Sequence, residues 1–423
     1  MLKKQISVLL FFSFLIFLDV SAQINTYSPY SRYGFGEMER QGIGFTRAMG
    51  GVGIGMRMEN QINYLNPASY TTQDSSSFIF DFGLSGSMTN YKSSTNSFSI
   101  KNASFSHLAI SFPVTRWMFV SGGVVPFSKV GYNVIQEGVN QPYIGTVDSY
   151  YEGSGGLNRM FLGTGIKWKN LSFGLNAYYL TGSLSYDKSY IFPFSDKYFS
   201  TKITDKYSVR NVYIGVGAQY VIKLNNNSSL ILGAIFDNKS ALKGTHSNFI
   251  RNTYSGASQS AVDTVNFEEN SETGIVLPNK LGLGASINLN RKLILAIDYT
   301  TQDWSEFKMP DNTGVMKKSS VVNIGLQFTP NDQALRGYLN HVNFRLGGYY
   351  SNTNLKLINQ DIKDYGATIG LGLPFSHSRS MFHIGYQVGQ RGTLSNGLIK
   401  ENYQNIYLSL TLYDIWFIKS KFD

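Results

Sequence analysis

The side chains best suited to recognise a charged ligand are Arg32, Arg47 and Arg57, all within a glycine-rich amino-terminal stretch. An amphiphile with a carboxylate head needs an apolar slot and one or two cationic donors, and a guanidinium supplies charge together with a fork of N–H groups. The same arginines have a structural alternative, pairing with Glu37, Glu39, Glu59 or acids of a surrounding wall so as to pin the segment, and that is the favoured role. Catalytic chemistry is sparse. His107, His246, His341, His377 and His383 form no metal-ligand spacing, and no G-x-S-x-G elbow is present. A hydrolase assembled from separate strands would have to use His107, close to Ser104 and Ser106, or His383, but lumen or interface roles are expected for both. Asp263, Glu268, Glu269 and Glu272 lack the regular spacing of a Ca2+ loop and read as a solvated charge run. The glycines from Gly50 to Gly55 have neither the preceding strand nor the following helix of a dinucleotide loop. The expectation is no catalytic residue, no metal and no cofactor: not an enzyme.

The elements that must position these residues follow from composition. Of 423 residues only 15% are charged, against about 25% in a soluble domain, while Gly reaches 42, and Phe and Tyr 29 and 28. A mean hydropathy of -0.14 is too polar for a bundle of membrane helices. Beyond the first twenty residues no run approaches the roughly 18 apolar residues of a spanning helix. The absence of cysteine excludes thiolate metal sites, a disulfide framework and a lipid-anchored Cys. The formal charge of +10 is carried by scattered Lys and Arg, which suits solvent or lipid headgroups rather than nucleic acid.

Met1 to Ala22 has a basic start at Lys3 and Lys4, an apolar stretch from Ile6 to Leu18 and a small-residue end, the order of a cleaved signal peptide (1–22). Export into a bacterial envelope follows. After Ser76 the chain alternates with period two. Ile406, Leu408, Leu410 and Leu412 share one parity, and Tyr407, Ser409, Thr411 and Tyr413 the other. Val212, Ile214, Val216, Ala218, Tyr220 and Ile222 oppose Tyr213, Gly215, Gly217 and Gln219, and Leu293, Leu295, Ile297 and Tyr299 oppose Ala296, Asp298 and Thr300. About fourteen such segments can be traced, among them 228 to 246 and 275 to 289. Many are longer than a soluble strand, and their number is even, as a closed bacterial barrel requires. Tight links at Lys169-Asn170, Asn290-Arg291 and Pro113 to Arg116 alternate with long polar ones at Tyr132 to Gly156, Ile191 to Tyr207 and Ser247 to Gly274. The long connection from Thr329 to Asn340 lies on the short-turn side and suggests a partner contact. Tyr132, Trp168, Tyr190, Trp304, Tyr349, Tyr350, Trp416 and Phe417 fall near segment ends, as interfacial girdles do. The fold class expected is therefore all-β: a transmembrane antiparallel β-barrel of about 14 strands over 77–423, preceded by an N-terminal luminal plug, or hatch, over 23–76.

Within that amino-terminal stretch, Arg47-Ala48-Met49-Gly50-Gly51 followed by Asn66-Pro67-Ala68-Ser69 resembles the hatch of the FadL (OMPP1/FadL/TodX) outer-membrane transport family. Gly389-Gln390-Arg391-Gly392-Thr393, Ile399-Lys400-Glu401-Asn402-Tyr403 and Asp414-Ile415-Trp416-Phe417 resemble the carboxyl-terminal stretch of its Bacteroidota versions. The resemblance implies a fourteen-stranded outer-membrane barrel that passes long-chain fatty acids or other hydrophobic compounds through its wall, past the hatch. Gly50, Gly51, Asn66, Pro67 and Ala68 then form the hatch motif, with Asn66 and Pro67 either a gate or, as favoured, a fixed turn into strand one. The functional expectation is a channel for passive uptake of hydrophobic or amphiphilic molecules. The alternative is a non-transporting barrel that acts as scaffold subunit of a larger outer-membrane complex, in secretion or barrel assembly, with outer-membrane proteins as partners. A barrel hydrolase ranks third.

Overall fold

The computed structural model describes residues 27–142, 145–193, 199–253, 261–272, 275–307, 316–376 and 378–416. The leader, His377 and Phe417 lie outside them, as does the side chain of Glu272. Among the described residues, fourteen strands after the amino-terminal segment form the barrel wall: β1 (Ser77–Lys92), β2 (Ser97–Pro113), β3 (Met118–Gln141), β4 (Gly145–Trp168), β5 (Leu171–Ile191), β6 (Ser200–Asn225), β7 (Ser228–Asp237), β8 (Lys280–Leu289), β9 (Leu293–Asp303), β10 (Lys318–Phe328), β11 (Asn343–Leu357), β12 (Gln360–Pro374), β13 (Met381–Arg391) and β14 (Lys400–Ile415). Each pairs antiparallel with the next, and β14 returns to β1 from Ile415↔Ser77 to Lys400↔Lys92, closing the barrel. Closure removes the free edges that an open sheet would expose.

Accessibility is inverted relative to a water-soluble sheet. On β6, Val212 is 61% exposed and Ile214, Val216 and Tyr220 are exposed, whereas Tyr213 and Gln219 are buried. On β14 Ile406, Leu408 and Leu412 face out while Ser409, Thr411 and Tyr413 are buried; on β9 Leu295, Ile297 and Tyr299 face out and Asp298 is 1% exposed. A continuous belt of exposed Leu, Ile, Val and Phe is far larger than the apolar patches soluble proteins tolerate, and it matches hydrocarbon.

The barrel has two unlike ends. At the end where the amino-terminal segment joins β1 (the entry end) the links are mostly tight; in the three-residue link 290–292, Asn290 and Arg291 take φ of +54° and +58°, the left-handed geometry of a type I′ turn. At the far end the wall rises well beyond the apolar belt. The stretches expected to be long loops, Tyr132 to Gly156 and Ile191 to Tyr207, are instead mostly continuations of β3, β4, β5 and β6, and Gly244–Thr253 pairs with β6 and with Ala261–Glu272. Above the lipid both faces of a strand meet polar surroundings, so backbone pairing continues where the hydrophobic alternation that reveals it stops. The 26 residues of β6 extend over about 88 Å, against the 9 to 11 residues needed to cross a bilayer. The exception at the entry end is the connection between β10 and β11, where a 3-10 turn (Tyr338–His341) carries exposed Tyr338 and Leu339 beside a fully exposed Leu335.

Candidate functional site

One seam of the barrel is incomplete. The β2–β3 ladder runs only from Pro113↔Phe119 to Leu108↔Val124. Beyond it β3 carries Pro126, which has no N–H to donate, and a bulge between Pro126 and Ser128; β2 bulges at Ser106, between the pairs Gly83↔His107 and Leu84↔Phe105. The amino-terminal segment occupies the freed edge of β3. Glu37–Met38 pairs antiparallel with Lys129 and Ser128, the Glu39 N–H donates to the Phe127 carbonyl at 3.0 Å, and Ser31 Oγ accepts from the Gly131 N–H at 3.1 Å. Side chains bridge what backbone does not: Lys129 Nζ donates to Ser104 Oγ on β2 at 3.1 Å and pairs with Glu39 at 2.5 Å. A polar cavity of about 90 Å³ lies along this seam, lined by Glu39, Arg47, Ser85, Ser104 and Lys129 among others.

From the seam the segment can be followed in both directions along the inward faces of the strands. Towards the far end Ser28 Oγ donates to Glu401 at 2.5 Å, the Tyr30 hydroxyl donates to the Ile399 carbonyl, and Glu37 pairs with Arg391 at 2.6 Å. Arg391 also lies 3.5 Å from both Asp364 and Glu401. The carboxyl-terminal stretches around Arg391 and Glu401 thus receive the amino-terminal one. Phe35 packs there at 4.7 Å from Phe307 and 6.3 Å from Trp304, in a cluster that includes Tyr132, Tyr186 and Tyr207.

Towards the entry end the segment rests on wall glycines. Gly50, with φ +70°, donates its N–H to Thr368 Oγ1 at 2.9 Å, and a Cβ on Gly347 would come within 2.2 Å of that nitrogen. Gly53 and Ile54 donate to Asp298 Oδ2 at 2.6 and 2.9 Å. Asn66 caps the 3-10 turn Pro67–Thr72 by accepting from the Ala68 N–H at 3.1 Å, and its amide donates to the carbonyls of Ile54 and of Ala218 on β6. Pro67 and Ala68 lie on Gly174 and Gly217, whose missing side chains leave the space they fill. Asn66, Pro67 and Ala68 therefore form a capped turn seated on the wall.

The three arginines singled out by sequence have separate surroundings. Arg32 stacks on Tyr151 at 4.6 Å. Arg47 donates to the carbonyls of Gly42 and Arg40 and lies 3.7 Å from Glu39. Among the described residues Arg57 meets no acid: it donates to Ser172, Gln219 and Thr71, and burial pushes it down to about 10, still protonated at neutral pH. Burial alone would raise the Glu39 carboxyl, but Lys129 and Arg47 hold it below its ordinary value. Sequence reading passed over Arg40, Lys129, Arg391 and Glu401. The two last lie in quoted motifs, which was the available signal; Lys129 carries none.

Among the histidines, His107 Nε2 lies 2.9 Å from Asp81 and its Nδ1 3.1 Å from Ser106 Oγ, a Ser-His-Asp sequence of contacts. Asp81 also accepts from Ser409 and Thr411, Ser106, His107 and Asp81 are buried, and none of the three lines the seam cavity. The cluster has the saturated character of a structural polar layer. His383 sits between Arg345 and Thr411. Asp263, Glu268 and Glu269 are exposed on the outlying hairpin, and among the described residues no three metal-ligating side chains converge.

A larger cavity of about 210 Å³ lies on the other side of residues 36–41, between the segment and β8 to β12. Its lining is mixed: Trp304, Val321, Leu355 and Ile362 contribute apolar surface, and Arg40 and Lys280 contribute positive charge. Lys280 Nζ donates to Gln41 at 2.6 Å.

The family model described as BamG matches residues 1–423. No curated protein matches by sequence. Among solved structures the chain is similar to the Pseudomonas putida toluene transporter TodX (14% identity, 90% of this chain and 100% of that one, TM-score 0.57), a Pseudomonas aeruginosa FadL homologue (12%, 90% and 100%, 0.56) and the Ralstonia pickettii toluene transporter TbuX (13%, 93% and 99%, 0.55). At these identities the likeness establishes the FadL-like fold.

Proposed function

The chain belongs to the BamG family, and from that premise and the geometry above we propose that it is an outer-membrane barrel of the Bacteroidota type that admits small hydrophobic or amphiphilic molecules through its wall. In this reading the entry end is periplasmic, the tall wall external, residues 28–75 a luminal plug, and the exposed apolar belt meets outer-membrane lipid. The observation that carries it is the interrupted β2–β3 ladder with residues 31–39 laid along the opening beside a cavity of mixed apolar and charged lining. In a wall built only to hold a shape, unpaired strand edges at membrane depth are a cost without return. The gate is local. Moving the whole plug would break its bonds to strands all round the barrel, and the external half is filled by the aromatic cluster around Phe35, so the economical motion is displacement of residues 31–41 from β3.

The test exploits the absence of cysteine. Met38 and Ser128 are register partners, so M38C/S128C should form a disulfide within antiparallel-pair geometry. Uptake of a radiolabelled hydrophobic probe into cells or proteoliposomes should fall in the oxidised protein and return on reduction. Uptake unchanged by the lock sinks the seam as a gate.

A second reading, a barrel subunit of a larger outer-membrane assembly in secretion or barrel assembly, is favoured by a different observation: the exposed Leu335, Tyr338 and Leu339 on the periplasmic β10–β11 connection. Mild-detergent pull-down decides. A stoichiometric partner lost on L335S/L339S supports the assembly, and a lone monomer with seam-dependent uptake supports the channel.

A further inference from the structure

We propose that Arg40 anchors the anionic head of a short amphiphile whose apolar body lies in the 210 Å³ cavity; this rests on the uptake reading and names its ligand class. Five lumen-facing arginines already have oxygen or nitrogen partners: Arg47, Arg57, Arg159, Arg345 and Arg391. Arg40 differs. Among the described residues its side chain donates no hydrogen bond and joins no ion pair, its Nε is buried without a partner, and the guanidinium carbon lies over the Tyr349 ring, 3.0 Å from its centroid. Arg32 also rests on a ring, but it does not line either cavity, whereas Arg40 lines both.

A guanidinium stacked on an aromatic face keeps its edge free, and that edge carries the N–H groups that match a carboxylate's two oxygens. The nearby acids do not compete for it, because Glu37 is paired with Arg391, Glu39 with Lys129, and Asp364 lies against Arg391 and the Tyr403 hydroxyl. A buried donor left unpaired costs about 1–3 kcal/mol, so an anion placed there recovers stabilisation that no protein group supplies. The same cavity is lined by Leu355, Ile362, Val321 and Trp304, which offer apolar surface to the body of the ligand. The volume limits the body. It falls below the 300 Å³ or more of drug-sized sites, which suits a single ring or a short chain rather than a long acyl chain.

The experiment uses the full barrel in nanodiscs, with calorimetric titration of 4-methylbenzoate, its neutral counterpart 4-methylbenzyl alcohol, and palmitate, each corrected for empty discs. The expected result is that 4-methylbenzoate binds, that R40M weakens it by about tenfold or more, that R40K is intermediate, and that the alcohol binds weakly and equally to both proteins. Far-ultraviolet circular dichroism and heat-modifiable gel mobility establish that each variant is folded. Benzoate affinity unchanged in R40M, or alcohol binding as tightly as the acid, overturns the Arg40 assignment while leaving the cavity as a binding site. Palmitate bound most tightly and with the same Arg40 dependence overturns the short-body limit. No binding of any probe to the folded protein removes the uptake reading itself.

Discussion

Gly174→Ala gives the sharpest test of how the amino-terminal segment is held. A Cβ on Gly174 would stand 2.2 Å from the Pro67 carbonyl carbon and 2.4 Å from the Ala68 nitrogen. Both are backbone atoms of a turn fixed by the Asn66 cap and by the Ser69 Oγ bond to the Asn63 carbonyl, so no side-chain rotation relieves the overlap. Overpacking of this kind costs about 1–3 kcal/mol. Taking about 2 kcal/mol, the population in which the turn is lifted off the wall rises roughly thirtyfold. The assay is limited proteolysis of residues 27–75 at protease concentrations where reclosing outpaces cleavage, so that the rate follows the open population. Barrel integrity is followed in parallel by heat-modifiable mobility. Gly86→Ala is the control, since its nearest contact would be the Asn102 carbonyl at 3.9 Å and its cleavage rate should match wild type. Equal rates for Gly174→Ala and Gly86→Ala would refute the argument that the wall is glycine where the segment's backbone approaches it.

Three further outcomes are expected. Arg391→Gln leaves Glu37, Asp364 and Glu401 facing one another in a buried site, which should cost about 3–5 kcal/mol and free residues 28–37, seen as lost amide-exchange protection at Ser31 and Gly36, whose N–H groups donate to the Ser28 and Tyr33 carbonyls. Glu39 has a folded-state carboxyl below its unfolded value near 4.5, so its contribution is present above that value and lost as pH falls through the folded one. Lys129→Met removes one of the cations that hold it down, and maleimide labelling of Met38→Cys should accelerate at a higher pH than in the Lys129 parent. Asn66→Ala should cost about 1–3 kcal/mol, and Asn66→Asp should be worse, because the carboxylate keeps the cap to Ala68 but opposes the Ile54 and Ala218 carbonyls; thermal scans that rank Asp above Ala would show that only the cap matters.

Period-two alternation such as Leu293-Leu295-Ile297-Tyr299 against Ala296-Asp298-Thr300 determined by itself that this chain forms strands with one lipid-compatible face, because lipid on one side and a crowded lumen on the other impose opposite demands on neighbouring residues. The count of fourteen followed from the same signal. The signal failed where its cause was absent: β3 to β6 continue above the membrane, and polar surroundings on both faces erase the alternation without ending the backbone ladder. The glycines at 50 and 51 and the Asn66-Pro67-Ala68 turn were visible as motifs, but their seats on Gly347, Gly174 and Gly217 lie hundreds of residues away in some cases. Only closure of the barrel decides which glycine faces which turn. The same holds for the arginines. Sequence offered Arg32, Arg47 and Arg57 on equal terms, and the tertiary structure gave Arg47 and Arg57 oxygen partners, placed Arg32 on Tyr151, and left Arg40 facing a cavity. An unpaired guanidinium is a property of its neighbours, and those neighbours come from β11, β12 and β13, more than three hundred residues further along the chain.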